Sequence, residues 1–528
     1  MFFDKMQKAV EHDPKILQFA NFGARIIMRY LFLFLILLGA FQVNGQTTVQ
    51  LKRAKKLAQS NIEGKQIQKL LGDVWIVQGT TNIFCDSAYL DKVTNTAEAF
   101  GQVNIIDSED LLDVKSNYMR YDGNTKIAQL RDNVILKDST GVLYTDYLDY
   151  DRITSTGYYQ GGGRLVDATN DLASKTGKYY PNLKLAHFFD SVRVNNEEFY
   201  LETDTLYYST LTQTSETAGY TKAITPQNDT LLAQEGLIYN SIIKFAKVFM
   251  GEVRSADYRI KGDTLLADDF NQDYRAYKNV ELYSVQDSLT IYGEKGVFNK
   301  AKEYGLVYEK AYLRKMVQGD SLFIKADTLY SKQKEDESGK YLLAYNNARL
   351  YKSNFQGKAD SVSYNFSDST IYMFNDPIIW AQDSQISADS LNIEIKNNSV
   401  NKMILRQQSF VISKDTLGNF NQIKGRKMDV FFKNGNIART DILGNGESIY
   451  YVQEKPGVSS MNKMKCSNMA IYFENNFVSE LRAYREIDGR LIPQFEILTP
   501  ERTLRGFKWR IDEKPKLREV ALHLRYDR

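Results

Sequence analysis

Few side chains in this sequence could carry covalent or metal chemistry, and their spacing argues against it. Histidine occurs at His12, His187 and His523 alone. A catalytic triad or a zinc site needs several such groups converging, and neither a paired-histidine metal motif nor a nucleophile elbow is present. Gly161-Gly162-Gly163 superficially resembles a phosphate cradle. Without a following Lys-Ser/Thr and a strand-to-helix transition it reads as a turn or bulge. Aspartate recurs at a regular interval, which raises the prospect of stacked calcium sites. Calcium-binding β-rolls, however, draw several oxygens per turn from Gly-rich nonapeptides, and here one carboxylate recurs per ~30 residues. Capping of a tight turn by Asp and Ser/Thr side chains suits that pattern better. No enzymatic activity, cofactor or metal is expected.

The recurring aspartate belongs to a repeat. Lys325-Ala326-Asp327-Thr328-Leu329-Tyr330 is rewritten at Cys85-Asp86-Ser87-Ala88-Tyr89, at Thr203-Asp204-Thr205-Leu206-Tyr207 and at Gly262-Asp263-Thr264-Leu265. Further copies are Ala359-Asp360-Ser361-Val362 and Ala388-Asp389-Ser390-Leu391. With weaker copies included, the Asp-like position falls at 86, 116, 146, 175, 204, 235, 263, 294, 327, 360, 389, 426 and 467. Such a period is the signature of units that stack on their neighbours. Each unit has a second half-motif, a Gly/Asn/Asp turn signal followed by Val-x-apolar. Examples are Gly101-Gln102-Val103-Asn104-Ile105, Asp132-Asn133-Val134-Ile135-Leu136 and Asp190-Ser191-Val192-Arg193-Val194. These short runs, rich in β-branched and aromatic residues, read as strands. Leu391-Asn392-Ile393-Glu394-Ile395-Lys396 alternates most clearly, apolar on one face and polar on the other. The expected fold is all-β: an elongated antiparallel jellyroll or solenoid of about thirteen repeats, with tight turns, one dry face and one wet face.

In chain order, residues 1–45 read as a signal-peptide region. Leu31 to Phe41 is an apolar run behind Met28-Arg29-Tyr30, and Val43-Asn44-Gly45 offers a cleavage site before Gln46. The competing membrane anchor needs about 20 apolar residues. Residues 1–27 are unusual ahead of such a leader, and a start at Met28 would account for that. Thr47 to Leu71 is compatible with either a basic lead-in helix or a frayed first strand. Repeats fill 46–215 and continue over 216–475, with the Thr/Ser-rich stretch Tyr208–Gln227 a candidate division between them. Ser331 to Lys340 reads as a long polar loop. The period lapses by Glu480, and 476–528 reads as a basic, non-repetitive tail. A net charge of +3 gives no electrostatic footprint for nucleic acid. Cys85 and Cys466 lie in the first and last units, so strand spacing of about 4.8 Å places them beyond disulfide reach and both are expected buried or paired to a partner.

Three stretches carry a family resemblance: Leu71-Gly72-Asp73-Val74-Trp75, Phe84-Cys85-Asp86-Ser87-Ala88-Tyr89 and Arg505-Gly506-Phe507-Lys508-Trp509-Arg510. With them the chain resembles the OstA-like proteins of Gram-negative bacteria, relatives of the periplasmic lipopolysaccharide-transport bridge and of the periplasmic part of its outer-membrane partner. The resemblance implies a V-shaped jellyroll whose two facing sheets enclose an apolar groove for lipid acyl chains. It also implies a periplasmic location associated with the outer membrane, peripheral to the bilayer. The implied partners are lipopolysaccharide or a similar glycolipid and other lipopolysaccharide-transport proteins joined by end-to-end sheet pairing. This chain is much longer than the small bridge proteins, and no membrane-barrel half follows.

Physical chemistry fits that function. Exposing an acyl chain costs about 0.8 kcal/mol per CH₂, so a tail of a dozen carbons cannot cross water freely. A dry groove removes the penalty and needs no catalytic residue. The lipid-binding candidates are the dry-face residues Val103, Ile105, Val134, Leu136, Val192, Val194, Leu391, Ile393 and Ile395. The same alternation serves a structural or adhesive β-solenoid with a packed core, in which these residues are plain core. A polysaccharide lyase on a β-helix is a third reading, requiring a carboxylate and basic cluster that the sequence does not display.

Overall fold

The computed structural model describes residues 49–62, 65–317, 319–333, 339–381, 383–397, 399–454, 457–474 and 477–521. The leader and its cleavage site, His12 and His523 lie outside them.

From Gln50 to Pro493 the chain forms one unbroken antiparallel ladder. The strand Lys65–Gln78 pairs with Thr81–Asp91, which pairs with Thr96–Asp107, and the pairing continues to Gly457–Glu474, dividing into two parallel-running ladders between Leu289–Asn299 and Ser399–Lys414 where the corners separate shorter strands. Thr47–Leu71 is not helical among the described residues. Gln50–Arg53 and Lys56–Ile62 are strands, both paired to Lys65–Gln78. Its basic side chains are accommodated because a first strand solvates one face and one edge. Nor does the ladder break at Tyr208–Gln227: Tyr200–Ser209 pairs with Thr214–Ile224, which pairs onward to Thr230–Ala233 and Leu237–Asn240. Two strands, Phe477–Tyr484 and Asp488–Pro493, extend it past residue 475. In the polar insertion, Thr328–Gln333 and Lys340–Tyr345 pair across a hairpin whose tip lies outside the described residues.

The turn signals expected to reverse the chain instead bend it in mid-strand. Gly72-Asp73, Gly101-Gln102, Asp132-Asn133, Asp190-Ser191, Lys278-Asn279, Asn346-Asn347 and Gln407-Gln408 are consecutive residues with φ between 44° and 74°. Six of these left-handed pairs sit where the ladder register slips, as between Phe100 and Val103 or Arg131 and Val134, and Asn346-Asn347 separates Lys340–Tyr345 from Ala348–Lys352, which pair in different sheets. Such a bulge adds backbone to one strand and swings its second half into a different plane. Repeated along the chain, the corners fold one ladder into two facing sheets. Each repeat therefore delivers two strand passes, one descending and one returning, so the stack is about twice as long per repeat as one strand each would make it. Gly161-Gly162, at φ 82° and 117°, is one more corner, and Gly162 N–H donates to the Lys175 carbonyl at 2.8 Å.

The recurring aspartate faces these corners from the neighbouring strand. Asn133 N–H donates to Asp146 Oδ1 at 3.1 Å, Asn279 Nδ2 to Asp263 Oδ1 at 3.0 Å, and Asn347 Nδ2 to Asp327 Oδ2 at 3.1 Å. Where Lys175 replaces the aspartate, the left-handed residue opposite is Asp190, and an ion pair at 3.0 Å takes the place of the carboxylate–Asn contact. Capping is thus between strands rather than within one turn. The hairpin tips have their own aspartates: Asp91 Oδ1 accepts from the Val93 and Thr94 amides, and Asp122 Oδ1 from those of Asn124 and Thr125.

Small residues precede the corner aspartates because two sheets converge there. Cys85 and Cys466 occupy that position, as do Thr145, Ala326, Ala359 and Ala388, all buried. Both cysteines are free thiols, and burial, then Asp86, pushes the Cys85 thiol up to about 11, so it is inert.

Candidate functional site

The candidate residues all face the space between the sheets, in two clusters. Val103, Val134, Leu136, Val192 and Val194 are at most 3% exposed, in a cluster running from Leu70 to Val280, with Ile105 half-buried beside it. Leu391 and Ile393 are 0% exposed in a second cluster running from Leu289 to Ile471, with Ile395 half-buried at its margin. Phe298 packs against both clusters and makes the interior continuous. Cross-strand register stacks the candidates on one another's equivalents: Ile105 faces Val114, Leu136 faces Val114 and Leu143, and Ile393 lies between Ile371 and Met403.

The expected groove is present as a closed apolar seam rather than an open channel. Between the sheet tips, one space of about 20 Å³ lies against Val317, Lys352, Phe355, Met403 and Phe432. Another of about 10 Å³ lies against Leu289, Lys315, Leu322, Tyr364 and Ile395. Each has room for about one water. Buried side chains of both sheets line the rest of the interior.

Polar clasps close the seam in the N-terminal half, joining the hairpin tips of one sheet to those of the other. Arg152 donates to Gln78 Oε1 and Thr81 Oγ1, and Asn182 Nδ2 to Asp110 Oδ1. Tyr208 hydroxyl donates to Asp167 Oδ2 at 2.5 Å, and Glu198 accepts from Lys244 Nζ and Tyr239 hydroxyl, each at 2.6 Å. The most enclosed clasp centres on Asp138, whose side chain is 0% exposed. Its carboxylate accepts from Lys184 Nζ at 2.9 Å, Tyr179 hydroxyl at 2.8 Å, and the Thr140 and Gly141 amides. Burial alone pushes this carboxyl up, but the four donors together outweigh it and hold the group below its ordinary value. A carboxyl depressed in the folded state stabilises above its unfolded pKa of about 4, and that contribution is lost as pH falls through the folded value. Asp138→Asn is therefore expected to lower stability at pH 7 by about 1–3 kcal/mol. The difference from the parent should shrink below pH ~4 in chemical denaturation; a gap that persists into acid counts against the clasp. Sequence reasoning missed these residues because their partners are tens of positions apart and no local pattern marks them.

His187 packs edge-on against Tyr180, Phe189 and Tyr207 on a sheet's outer face, and burial followed by Lys178 lowers its pKa. Among the described residues no group of three or more His, Cys, Asp or Glu is placed to hold a metal ion. No helix there is long and apolar enough to cross a membrane.

Residues 494–521 form a strap across the outer face of one sheet in the C-terminal half, rather than a free tail. Gln422 receives the Leu504 amide at Oε1 (2.8 Å) and donates to the Arg502 carbonyl (2.8 Å). Gln385 repeats the geometry with the Arg510 amide and the Lys508 carbonyl, both at 2.7 Å. Arg510 bridges Asp376 and Glu513, and the short helix Leu517–Val520 ends against Tyr312 and Phe323. The Arg505–Arg510 motif is thus part of the strap, with Phe507 and Trp509 both against Phe420.

A continuous antiparallel ladder, bent at every pass and dry along its inside, defines an elongated β-jellyroll. Residues 46–204 match the family model described as OstA-like protein, and residues 315–399 match that described as LptA/(LptD N-terminal domain) LPS transport protein. Over these stretches the chain is OstA/LptA-like and contains domains of the lipopolysaccharide-transport type. Solved structures that match include LptH, the LptA homologous periplasmic component of the conserved lipopolysaccharide transport device from Pseudomonas aeruginosa. That match has 16% identity and a TM-score of 0.14, over 26% of this chain and 81% of that one. No curated protein matches the chain.

Proposed function

We propose that this protein binds lipopolysaccharide or a similar glycolipid in the periplasm and conducts it towards the outer membrane. The observation that carries this reading is the apolar interior, continuous from Leu70 to Ile471 through Phe298. The family matches, one over each of the two clusters of that interior, support it. Acyl tails would displace interior side-chain contacts as the facing sheets part, exchanging one dry environment for another and avoiding water throughout. Other transport proteins would join end to end. Gln50–Arg53 and Lys56–Ile62 at one end, and Phe477–Tyr484 and Asp488–Pro493 at the other, pair on one side only among the described residues. Exposed Leu51, Leu57, Leu491 and Phe495 flank these edges, which are templates for a further sheet.

The filled interior favours a second reading, a structural β-solenoid with a packed core. Photo-crosslinking separates the two. With labelled lipopolysaccharide, crosslinkers at Ile393 and Ile395 are expected to capture lipid, while those at Asn392 and Glu394 on the opposite face do not. Equal capture on both faces, or none, leaves the packed solenoid standing. In the same series, crosslinkers at Leu57 and Leu491 should give adducts with the end strands of another transport protein or of a second copy of this chain; the absence of both refutes end-to-end pairing.

A further inference from the structure

One row of inward-facing positions at the sheet tips carries charge where apolar residues surround it. In register along that row stand Leu289, Lys315 and Leu322, then Lys352, Phe355 and Ala381. Phe323 pairs with Tyr351, which puts Leu322 and Lys352 side by side. The lysines are thus about 10 Å apart along the ladder, on the same lip of the seam. Each borders one of the two spaces between the sheets, Lys315 with Ile395 opposite and Lys352 with Met403 and Phe432 opposite. In the N-terminal half the corresponding tips carry acids, Asp110, Asp138 and Asp167, each engaged in a clasp across the seam. In the C-terminal half acids persist on this lip, Asp287 facing Lys340 of the other sheet at 3.8 Å and Asp320 beside Lys352, but lysines join them where the mouth has space in it.

A buried ammonium needs partners, and those it has here are replaceable. Lys352 is 4% exposed; it donates to Asn354 Oδ1 at 3.1 Å and lies 3.5 Å from Asp320 Oδ2. Asp320 does not depend on it, since the Ser353 hydroxyl, the Ser353 amide and the Ser321 amide already bind its carboxylate. Lys315 donates to the Asp287 backbone carbonyl at 2.5 Å and sits 5.9 Å from the Tyr364 ring, and burial lowers its pKa. Both side chains can turn outward without leaving an acid stranded. An apolar space rimmed by lysines on one lip complements a molecule with an apolar tail and an anionic head.

Resting on the transport reading, we propose that Lys315 and Lys352 form a headgroup site at the seam's mouth for the phosphate of an anionic amphiphile whose tail enters beside Ile395 and Met403. The ammoniums would supply charge-assisted hydrogen bonds to phosphate oxygens, and the tail would be taken up by the adjoining interior.

The test uses the full chain and three probes: a bis-phosphorylated acylated disaccharide, its dephosphorylated form, and inorganic phosphate alone. The parent is expected to bind the phosphorylated amphiphile about tenfold more tightly than the dephosphorylated one. Lys315→Gln with Lys352→Gln should bring the two within about twofold of each other without weakening the neutral form. Because Lys352 is buried, Lys315→Gln alone serves as a second variant and should lose part of the preference. Equal binding of both amphiphiles by the parent, or an unchanged preference in both variants, overturns the headgroup site and leaves the transport reading standing. Inorganic phosphate competing at equal concentration also overturns it, in favour of a free-anion site. Failure of the parent to bind either amphiphile overturns both.

Discussion

Replacing Ile393 with alanine is expected to lower stability by about 2–5 kcal/mol. An open groove would predict almost no loss, because removing three carbons from a wall facing empty space creates no new cavity. Ile393 instead is 0% exposed and lies between Ile371 and Met403, themselves buried. The nearest spaces are of about 20 and 10 Å³, too small to relax into. Truncation therefore leaves a cavity whose lining loses its dispersion contacts. Denaturant unfolding of the variant measures the loss directly; a change below about 0.5 kcal/mol would mean that the sheets stand apart in solution. The same measurement bears on transport. If the interior is packed, a lipid must displace contacts of this strength to enter, and bound lipid should then offset part of the penalty in Ile393→Ala by occupying the cavity. Added glycolipid would raise the stability of the variant more than that of the parent.

Much of this architecture was legible in the sequence because its physics is local. The Leu391–Lys396 alternation requires one face in and one face out, and Leu391 and Ile393 are buried accordingly, while Ile395 lies only at the margin because it is the residue nearest the sheet tip. The Asp-Asn, Gly-Gln and Asn-Asn pairs announce positive φ, but positive φ does not say whether the chain reverses or merely bends. That depends on the register of the neighbouring strand, which the sequence does not display, and so the corners read as turns. Lys315 and Lys352 were invisible for the same reason: only the pairing of Lys315 with Leu322, and of Phe323 with Tyr351, puts them in one row. The strap left a signal that alternation obscured. Leu322-Phe323-Ile324, Ile378-Ile379-Trp380 and Phe410-Val411-Ile412 are consecutive apolar runs, which mark strands covered on both faces. All three are buried throughout.

Removing the strap, by ending the chain after Pro493, is expected to convert the C-terminal half from a well-behaved jellyroll into an aggregating one. The strap shields an outer sheet face containing Phe410, Ile412, Ile449, Tyr451 and Met461, which pack with its Leu504, and Phe420, which packs with its Phe507 and Trp509. At roughly 1.5–3 kcal/mol for each large side chain returned to water, the upper bound of the loss is on the order of 10 kcal/mol. Exposed together, these residues form a flat apolar sheet face of the kind that drives association. Gln385 and Gln422 would lose their four backbone hydrogen bonds in the same step. A gentler variant separates the strap's anchoring from its bulk: Gln422→Ala strands the Arg502 carbonyl and the Leu504 amide, at about 1–3 kcal/mol each, while leaving every apolar contact in place. The truncated chain should bind a hydrophobic dye and sediment as larger species than the parent, and Gln422→Ala should sediment like the parent at lower stability. Apolar contact with Leu504, Phe507 and Trp509 is then the main stabiliser, with the glutamines setting register. Dye binding unchanged from the parent would show that the outer face does not need its cover, and a Gln422→Ala chain as aggregated as the truncation would place the anchoring in the hydrogen bonds instead.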